Sequence, residues 1–174
     1  MTNPEPDPDP DPEPAAAAVE GLGDQIAECM DGDPASTLSD IAVPGVVGVG
    51  IDAVDIVRLR SMLARRPGLA ARLFTDGELA YAESAPDRVP RLATRFAAKE
   101  AVMKCLGVGL GAFGFHDVEV VRTGLDAPTL VIRGAAADLA AGAGIGRWHL
   151  ALTHTDDLAA AVVVASAVAP NVWV

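Results

Sequence analysis

An α+β fold, with a small antiparallel sheet packed against one long central helix, is predicted by three stretches of this chain. Residues 91–106 are mostly good helix formers and are closed by Gly107, which accepts the left-handed cap conformation. Residues 46–52 alternate with the period of a strand. Residues 148–153 and 158–167 alternate in the same way, and His154-Thr155-Asp156-Asp157 between them reads as the turn of a hairpin.

The chain divides by charge before it divides by structure. No Lys or Arg precedes Arg58, whereas eleven acidic residues lie between Glu5 and Asp40 and equal the whole net charge of −11. Residues 1–43 are therefore read as an acidic leader and 44–174 as a neutral body forming one domain. Within the leader, residues 2–14 repeat Pro with Asp or Glu, a pattern of like charges and missing amide donors that predicts an extended, unstructured segment. Residues 15–30 have the composition of a short helix that nothing obliges to pack.

In the strand at 46–52, Val47, Val49 and Ile51 form a branched face expected to meet the core. Gly48, Gly50 and Asp52 form the other face. Glycine in a strand interior marks close approach by backbone or ligand, so Asp52 is a carboxylate at a strand end beside cleared space. That makes it a candidate metal ligand, and a helix N-cap or turn residue fits the pattern equally well.

From Asp55 the period becomes helical, with Ile56, Leu59, Met62 and Leu63 on one side and Arg58, Arg65 and Arg66 outside. Pro67-Gly68 ends this helix. Thr75-Asp76-Gly77-Glu78 is a capping box that starts another short helix and is worth about 1 kcal/mol. Pro86 and Pro90 separate that helix from the long one.

On the long helix, Leu92, Phe96, Met103 and Leu106 form an apolar stripe. Lys99 falls inside the stripe, where an ammonium is costly without a partner. Glu100 and Lys104 sit one turn apart at its edge, on the side of Ala93 and Ala97. Such a pair on a solvated face supports itself by about 0.2–0.5 kcal/mol. Here the neighbouring alanines also leave room for a ligand or another element.

The glycine-rich stretch from Gly107 to Gly114 offers backbone amides of the kind that cradle phosphate. It leaves a helix instead of entering one, and as a pattern it reads first as a connector. Residues 117–122 and 129–133 read as strands around a turn with Gly124 and Pro128, and residues 134–142 as an alanine-rich helix. His154 falls at the strand end by the hairpin turn, where sites tend to lie, although a lone histidine is more often structural. His116 and His149 are read as structural.

Composition excludes several classes. Cys29 and Cys105 lack metal-ligand spacing and make no disulfide framework, which fits an inert thiol at Cys105 and a cytoplasmic protein. No basic region followed by an apolar run marks a signal peptide, and residues 162–168 are too few to cross a bilayer. The acidic balance, without a basic aromatic face, argues against nucleic acid. Between Arg58 and Lys104, however, ten basic residues face five acidic ones, a local surplus suited to an anionic ligand or acidic partner.

Three separated pieces carry a resemblance. They are Gly48-Val49-Gly50-Ile51-Asp52-Ala53-Val54-Asp55-Ile56-Val57-Arg58, then Arg95-Phe96-Ala97-Ala98-Lys99-Glu100-Ala101-Val102-Met103-Lys104, then Leu152-Thr153-His154-Thr155 followed by Ala159-Ala160-Ala161-Val162. In that order and spacing the body resembles the holo-acyl-carrier-protein synthases, the small trimeric class of 4′-phosphopantetheinyl transferases. The likeness runs from about Val46 to Ser166. Phe74-Thr75 with Glu78, and Asp117-Val118-Glu119-Val120, fit it too.

The resemblance implies a fold and a reaction. Enzymes of this kind move the phosphopantetheine arm of coenzyme A onto a serine of an apo acyl carrier protein, releasing adenosine 3′,5′-bisphosphate. It implies Mg2+ held by Asp52 and Glu100, Lys104 on the diphosphate and leaving group, and Glu100 as the route for the serine proton. It further implies that Arg95 and His154, with Thr153 beside them, bind the nucleotide end of coenzyme A around its 3′-phosphate, and that Gly107 and Gly109 lie near the diphosphate or pantetheine. A homotrimer is expected, with the pocket completed by the neighbouring protomer. The helix bearing Arg58, Arg65 and Arg66 would meet the acidic recognition helix of the carrier protein. Thr153 stands where many relatives have serine, and the loop after Lys104 is richer in glycine than is usual. The leader lies outside the resemblance; its charge is of the sign that would compete with a carrier protein for the basic helix.

Overall fold

The computed structural model describes residues 45–124 and 126–167. The expectations for the leader, including Cys29 and a helix at 15–30, lie outside the described residues. In chain order the elements are β1 (Val46–Asp55), α1 (Ile56–Arg65), α2 (Leu69–Leu73), α3 (Asp76–Glu83) and α4 (Val89–Cys105). A 3-10 turn (Phe115–Asp117), β2 (Val118–Val121), β3 (Thr129–Ile132), α5 (Gly134–Gly142), β4 (Ile145–His154) and β5 (Leu158–Ala167) follow.

The predicted α+β arrangement is present. An antiparallel sheet of order β1-β5-β4 packs against the 17-residue α4, and β2 and β3 pair as a separate antiparallel ribbon. Asp52 is registered with Ala161, Gly50 with Val163, and His154 with Ala159. Ala159, Ala161, Val163 and Ala165 of β5 are buried, so the sheet meets the helix through small side chains. Around that seam Ile56, Leu59, Phe74, Leu92 and Val102 are fully buried, each worth about 1.5–3 kcal/mol of apolar burial.

The two faces of β1 are the reverse of the sequence expectation. Val47, Val49 and Ile51 are 40%, 60% and 62% exposed, while Gly48, Gly50 and Asp52 face α4. A β-carbon at Gly50 would overlap the carbonyl oxygen of Ala101, and one at Gly48 would overlap that of Cys105. The glycines clear room for helix backbone, and the branched residues are left on the outer face. β1 also runs on to Asp55, so Asp52 is inside the strand. Asp55 is the residue that caps a helix, its Oδ1 accepting from the Arg58 amide at 2.8 Å.

The capping box at Thr75 forms as predicted. Glu78 has a second role that the motif did not disclose. Its Oε2 accepts from the Thr75 amide and lies 2.8 Å from Lys99 Nζ, while Oε1 accepts from the Val120 amide at 3.0 Å. Lys99 also donates to the carbonyls of Phe115 and Val118. Both side chains are fully buried, so this is the partner that an ammonium in the apolar stripe requires. Burial pulls the Lys99 ammonium below its usual range, against the charge of Glu78.

Two elements differ from expectation. The short α2 was not predicted; five residues carry too little periodicity to register, and the helix starts after Gly68, held at φ +87°. Asp117 belongs to the 3-10 turn and not to a strand, its Oδ2 accepting from the Gly114 amide at 3.1 Å. Among the described residues no helix is long and apolar enough to cross a membrane.

Candidate active site

Close approach of α4 to β1 decides what meets at their seam. With Gly48 and Gly50 letting the helix backbone down onto the strand, the next inward position, Asp52, is brought against the face of α4 that carries Glu100 and Lys104. Lys104 Nζ donates to Asp52 Oδ1 at 2.7 Å. The ammonium is half-exposed and the carboxylate buried, so the pair opens to solvent from the lysine side. Asp52 Oδ2 is buried and has no hydrogen-bond partner.

Glu100 completes the cluster. Burial first, then its hydrogen bond to Asp52 and the charge there, push the Glu100 carboxyl up to about 7 against the pull of Lys104. The hydrogen bond to Asp52 raises Lys104 above its ordinary value, and the charge of Glu100 adds to this. Two carboxylates this close cannot both be charged cheaply, which is why the neighbouring Asp52 adds to burial in raising Glu100. Ionising Glu100 beside Asp52 would call for more positive charge than the single Lys104 ammonium supplies.

Two cavities flank α4. One, of about 470 Å3, is bordered by Glu100, Phe96, Leu59 and Met62, with Arg58 and Asp55 at its edge. A smaller recess of about 340 Å3 continues along α1 between Arg58, Met62, Arg65 and Arg66. The other cavity, of about 400 Å3, is lined by Arg95, Thr153 and His154, together with Tyr81, Arg91 and Arg122. Arg95 and Glu100 are five residues apart on α4, about 140° around the helix, which is why one chain presents them to different cavities.

The predicted residues thus fall into two groups. Asp52, Glu100 and Lys104 come together at the seam, and Arg95, Thr153 and His154 come together at the other cavity. Gly107 and Gly109 line neither; Gly107, at φ +67°, ends α4 by donating to the Lys104 carbonyl at 3.1 Å. Cys105 is half-buried, and burial pushes its thiol up, in keeping with an inert role. Tyr81, Arg91 and Arg122 were missed. Arg91 lies one helical turn before Arg95, a spacing that points both arginines the same way, but the other two reach the cavity only through tertiary packing.

Comparison with known proteins gives one consistent answer. The model of the 4′-phosphopantetheinyl transferase superfamily matches residues 48–163. A holo-[acyl-carrier-protein] synthase of Frankia casuarinae is 52% identical over 120 residues, covering 69% of this chain and 97% of that protein. The crystal structure of the holo-[acyl-carrier-protein] synthase of Neisseria meningitidis superposes with a TM-score of 0.63 at 32% identity, over 70% of this chain and 98% of the other. A Bacillus anthracis enzyme of the same name, solved in complex with CoA (3′,5′-ADP), gives 0.60 at 29% identity over 71% and 99%.

Proposed function

The chain belongs to the 4′-phosphopantetheinyl transferase superfamily, and on that premise we infer that it is a holo-[acyl-carrier-protein] synthase. It transfers the 4′-phosphopantetheine arm of coenzyme A to a serine of an apo acyl carrier protein and releases adenosine 3′,5′-bisphosphate. The observation that carries the residue-level reading is the meeting of Asp52, Glu100 and Lys104 at one seam.

The donor set fits a hard divalent cation. Asp52 Oδ2 is an orphaned carboxylate oxygen, and the Glu100 carboxyl, raised to about 7 by burial and Asp52, would ionise more readily beside a cation. Both donors are oxygen, the chemistry of magnesium, which takes one or two protein carboxylates and fills the rest of its octahedron with water and phosphate oxygens. Asp52 and Glu100 would hold it, and when bound it would neutralise charge on the diphosphate.

The chain's own groups do the remaining work. The serine oxygen forms its bond to phosphorus as the diphosphate bridge breaks. Glu100, ionised, accepts the serine proton. Lys104 leaves Asp52 for the diphosphate and stabilises the departing phosphate as negative charge grows there. Arg95, Thr153 and His154 hold the nucleotide end.

The carrier protein is read onto α1. Arg58, Arg65 and Arg66 border the recess next to the Glu100 cavity, so an acidic helix seated there would bring its serine toward Glu100. A homotrimer accounts for two further features. The outer face of the sheet exposes Val47, Val49, Ile51 and Val162 side by side, an apolar surface suited to burial between copies. The separation of the Arg95 cavity from Glu100 within one chain suits a pocket completed by a neighbour.

The test is to incubate the protein with coenzyme A, magnesium and an apo carrier protein and to weigh the carrier by mass spectrometry. A gain of one phosphopantetheine arm is expected. Binding of coenzyme A without that gain, at any carrier or metal concentration, is the result that favours a non-catalytic module of the same fold.

A further inference from the structure

The Arg95 cavity has an arrangement that neither the motif residues nor the reaction requires. Tyr81, the only tyrosine in the chain, lies under two guanidiniums: Arg95 Cζ is 4.1 Å from the ring centroid and Arg91 Cζ 4.8 Å. Arg122, just after β2, lines the same cavity, its Nε donating to the Asp126 carbonyl at 3.0 Å. Burial opposes ionisation of the Tyr81 hydroxyl, but the hydrogen bond from Arg122 and the charges of Arg95, Arg122 and Arg91 bring it below its usual value.

These three arginines form no salt bridge among the described residues, and no carboxylate lines the cavity. Glu78, whose charge reaches Arg95, is committed to Lys99 and to the amides of Thr75 and Val120. Arg95 is 3% exposed, and its Nε is buried without a partner. Its Nη1 donates to the Arg91 carbonyl at 3.0 Å, and Arg91 Nη1 donates to the Tyr81 carbonyl at 2.9 Å and to Ser84 Oγ at 2.6 Å. Like charges gathered without a counter-ion repel one another. The aromatic face of Tyr81, which attracts cations, is what they share.

We propose that Tyr81 is a positioning residue for the phosphorylated ribose end of the substrate: its ring gathers Arg91 and Arg95, and with Arg122, which lines the same cavity, the three meet one dianionic phosphate. This rests on the transferase reading, in which that phosphate is the 3′-phosphate of coenzyme A. The ring fixes the guanidiniums before the ligand arrives, so removing it frees them to spread apart, and affinity is lost only for ligands that carry the phosphate.

Titration calorimetry of the full chain with magnesium compares coenzyme A against 3′-dephospho-coenzyme A, which lacks only that group. The wild type should prefer coenzyme A. Tyr81→Leu should weaken coenzyme A by about tenfold, with the dephospho form moving less than about twofold. Tyr81→Phe, which keeps the ring, should recover the wild-type ratio. Equal weakening of both ligands by the leucine variant, no weakening, a phenylalanine variant that behaves like leucine, or a wild type without preference would each overturn the proposal. If Tyr81→Leu fails to fold, Tyr81→Gln, also without a ring, supplies the same comparison. The binding ratio is read without turnover, so loss of transfer by the wild type would count against the transferase reading while the ratio still decided the role of Tyr81.

Discussion

Lys104 Nζ reaches across the helix–sheet seam to Asp52 Oδ1 at 2.7 Å and leaves the second oxygen of the same carboxylate buried and unpartnered. An ion pair in a merely structural setting would be expected to satisfy both oxygens, because an orphaned buried acceptor costs about 1–3 kcal/mol. Here the unmet oxygen points to a role beyond the pair. Asp52→Asn, Glu100→Gln and Lys104→Ala should each lower the rate of arm transfer by about 10²-fold or more, measured as carrier-protein mass against time. All three should retain the wild-type fold by circular dichroism.

The raised Glu100 carboxyl gives a pH dependence with a definite sign. Magnesium needs the ionised carboxylate, so its affinity should climb from pH 6 to 8 through the group's value of about 7. Near pH 7, calorimetry in buffers of different ionisation enthalpy should detect proton release on metal binding. Glu100→Gln should abolish that release.

The same group bears on stability in chelator. Its folded value is above the unfolded one, so between about 4.5 and 7 the folded protein keeps a proton that the unfolded chain has lost. This contribution is therefore fully present below that window and is lost as pH rises through it. Urea melts of the metal-free protein should show Glu100→Gln gaining on the wild type between pH 5 and pH 8. A constant difference across that range would contradict the assignment.

Charge reversal on α1 should separate the two substrates. Arg58→Glu and Arg65→Glu are expected to raise the carrier-protein KM on the order of tenfold at low salt, with little change in the KM for coenzyme A. The defect should narrow as salt rises, because exposed charges are screened beyond roughly 8 Å at physiological ionic strength.

The outer sheet face predicts the assembly. Light scattering should give the mass of three chains, and Ile51→Asp, placed where the side chain is 62% exposed in a single chain, should give the mass of one. An aspartate on a surface that stays wet would leave the mass unchanged.

Packing supplies the last prediction. Lys99→Met leaves the fully buried Glu78 carboxylate without its ammonium and should cost about 3–5 kcal/mol in urea denaturation. Lys99→Met with Glu78→Gln should recover part of that loss, since no uncompensated charge then remains.

Much of this was legible in the sequence. Periodicity located α4 and the hairpin of β4 and β5, the capping box placed α3, residue type with spacing drew attention to Glu100 and Lys104 and left Asp52 open between ligand and cap, and only the family resemblance gave His154 a role in the site. Those features depend on neighbours a few positions away, and the sequence states such neighbours directly. Which face of β1 is covered was decided only by the tertiary structure. Alternation reports that two faces differ, while the outcome turned on a helix backbone coming so near that only glycine fits beneath it. The partner of Lys99 and the grouping of Tyr81 with three arginines were hidden for the same reason: each joins residues from separate elements, and only packing sets their distance.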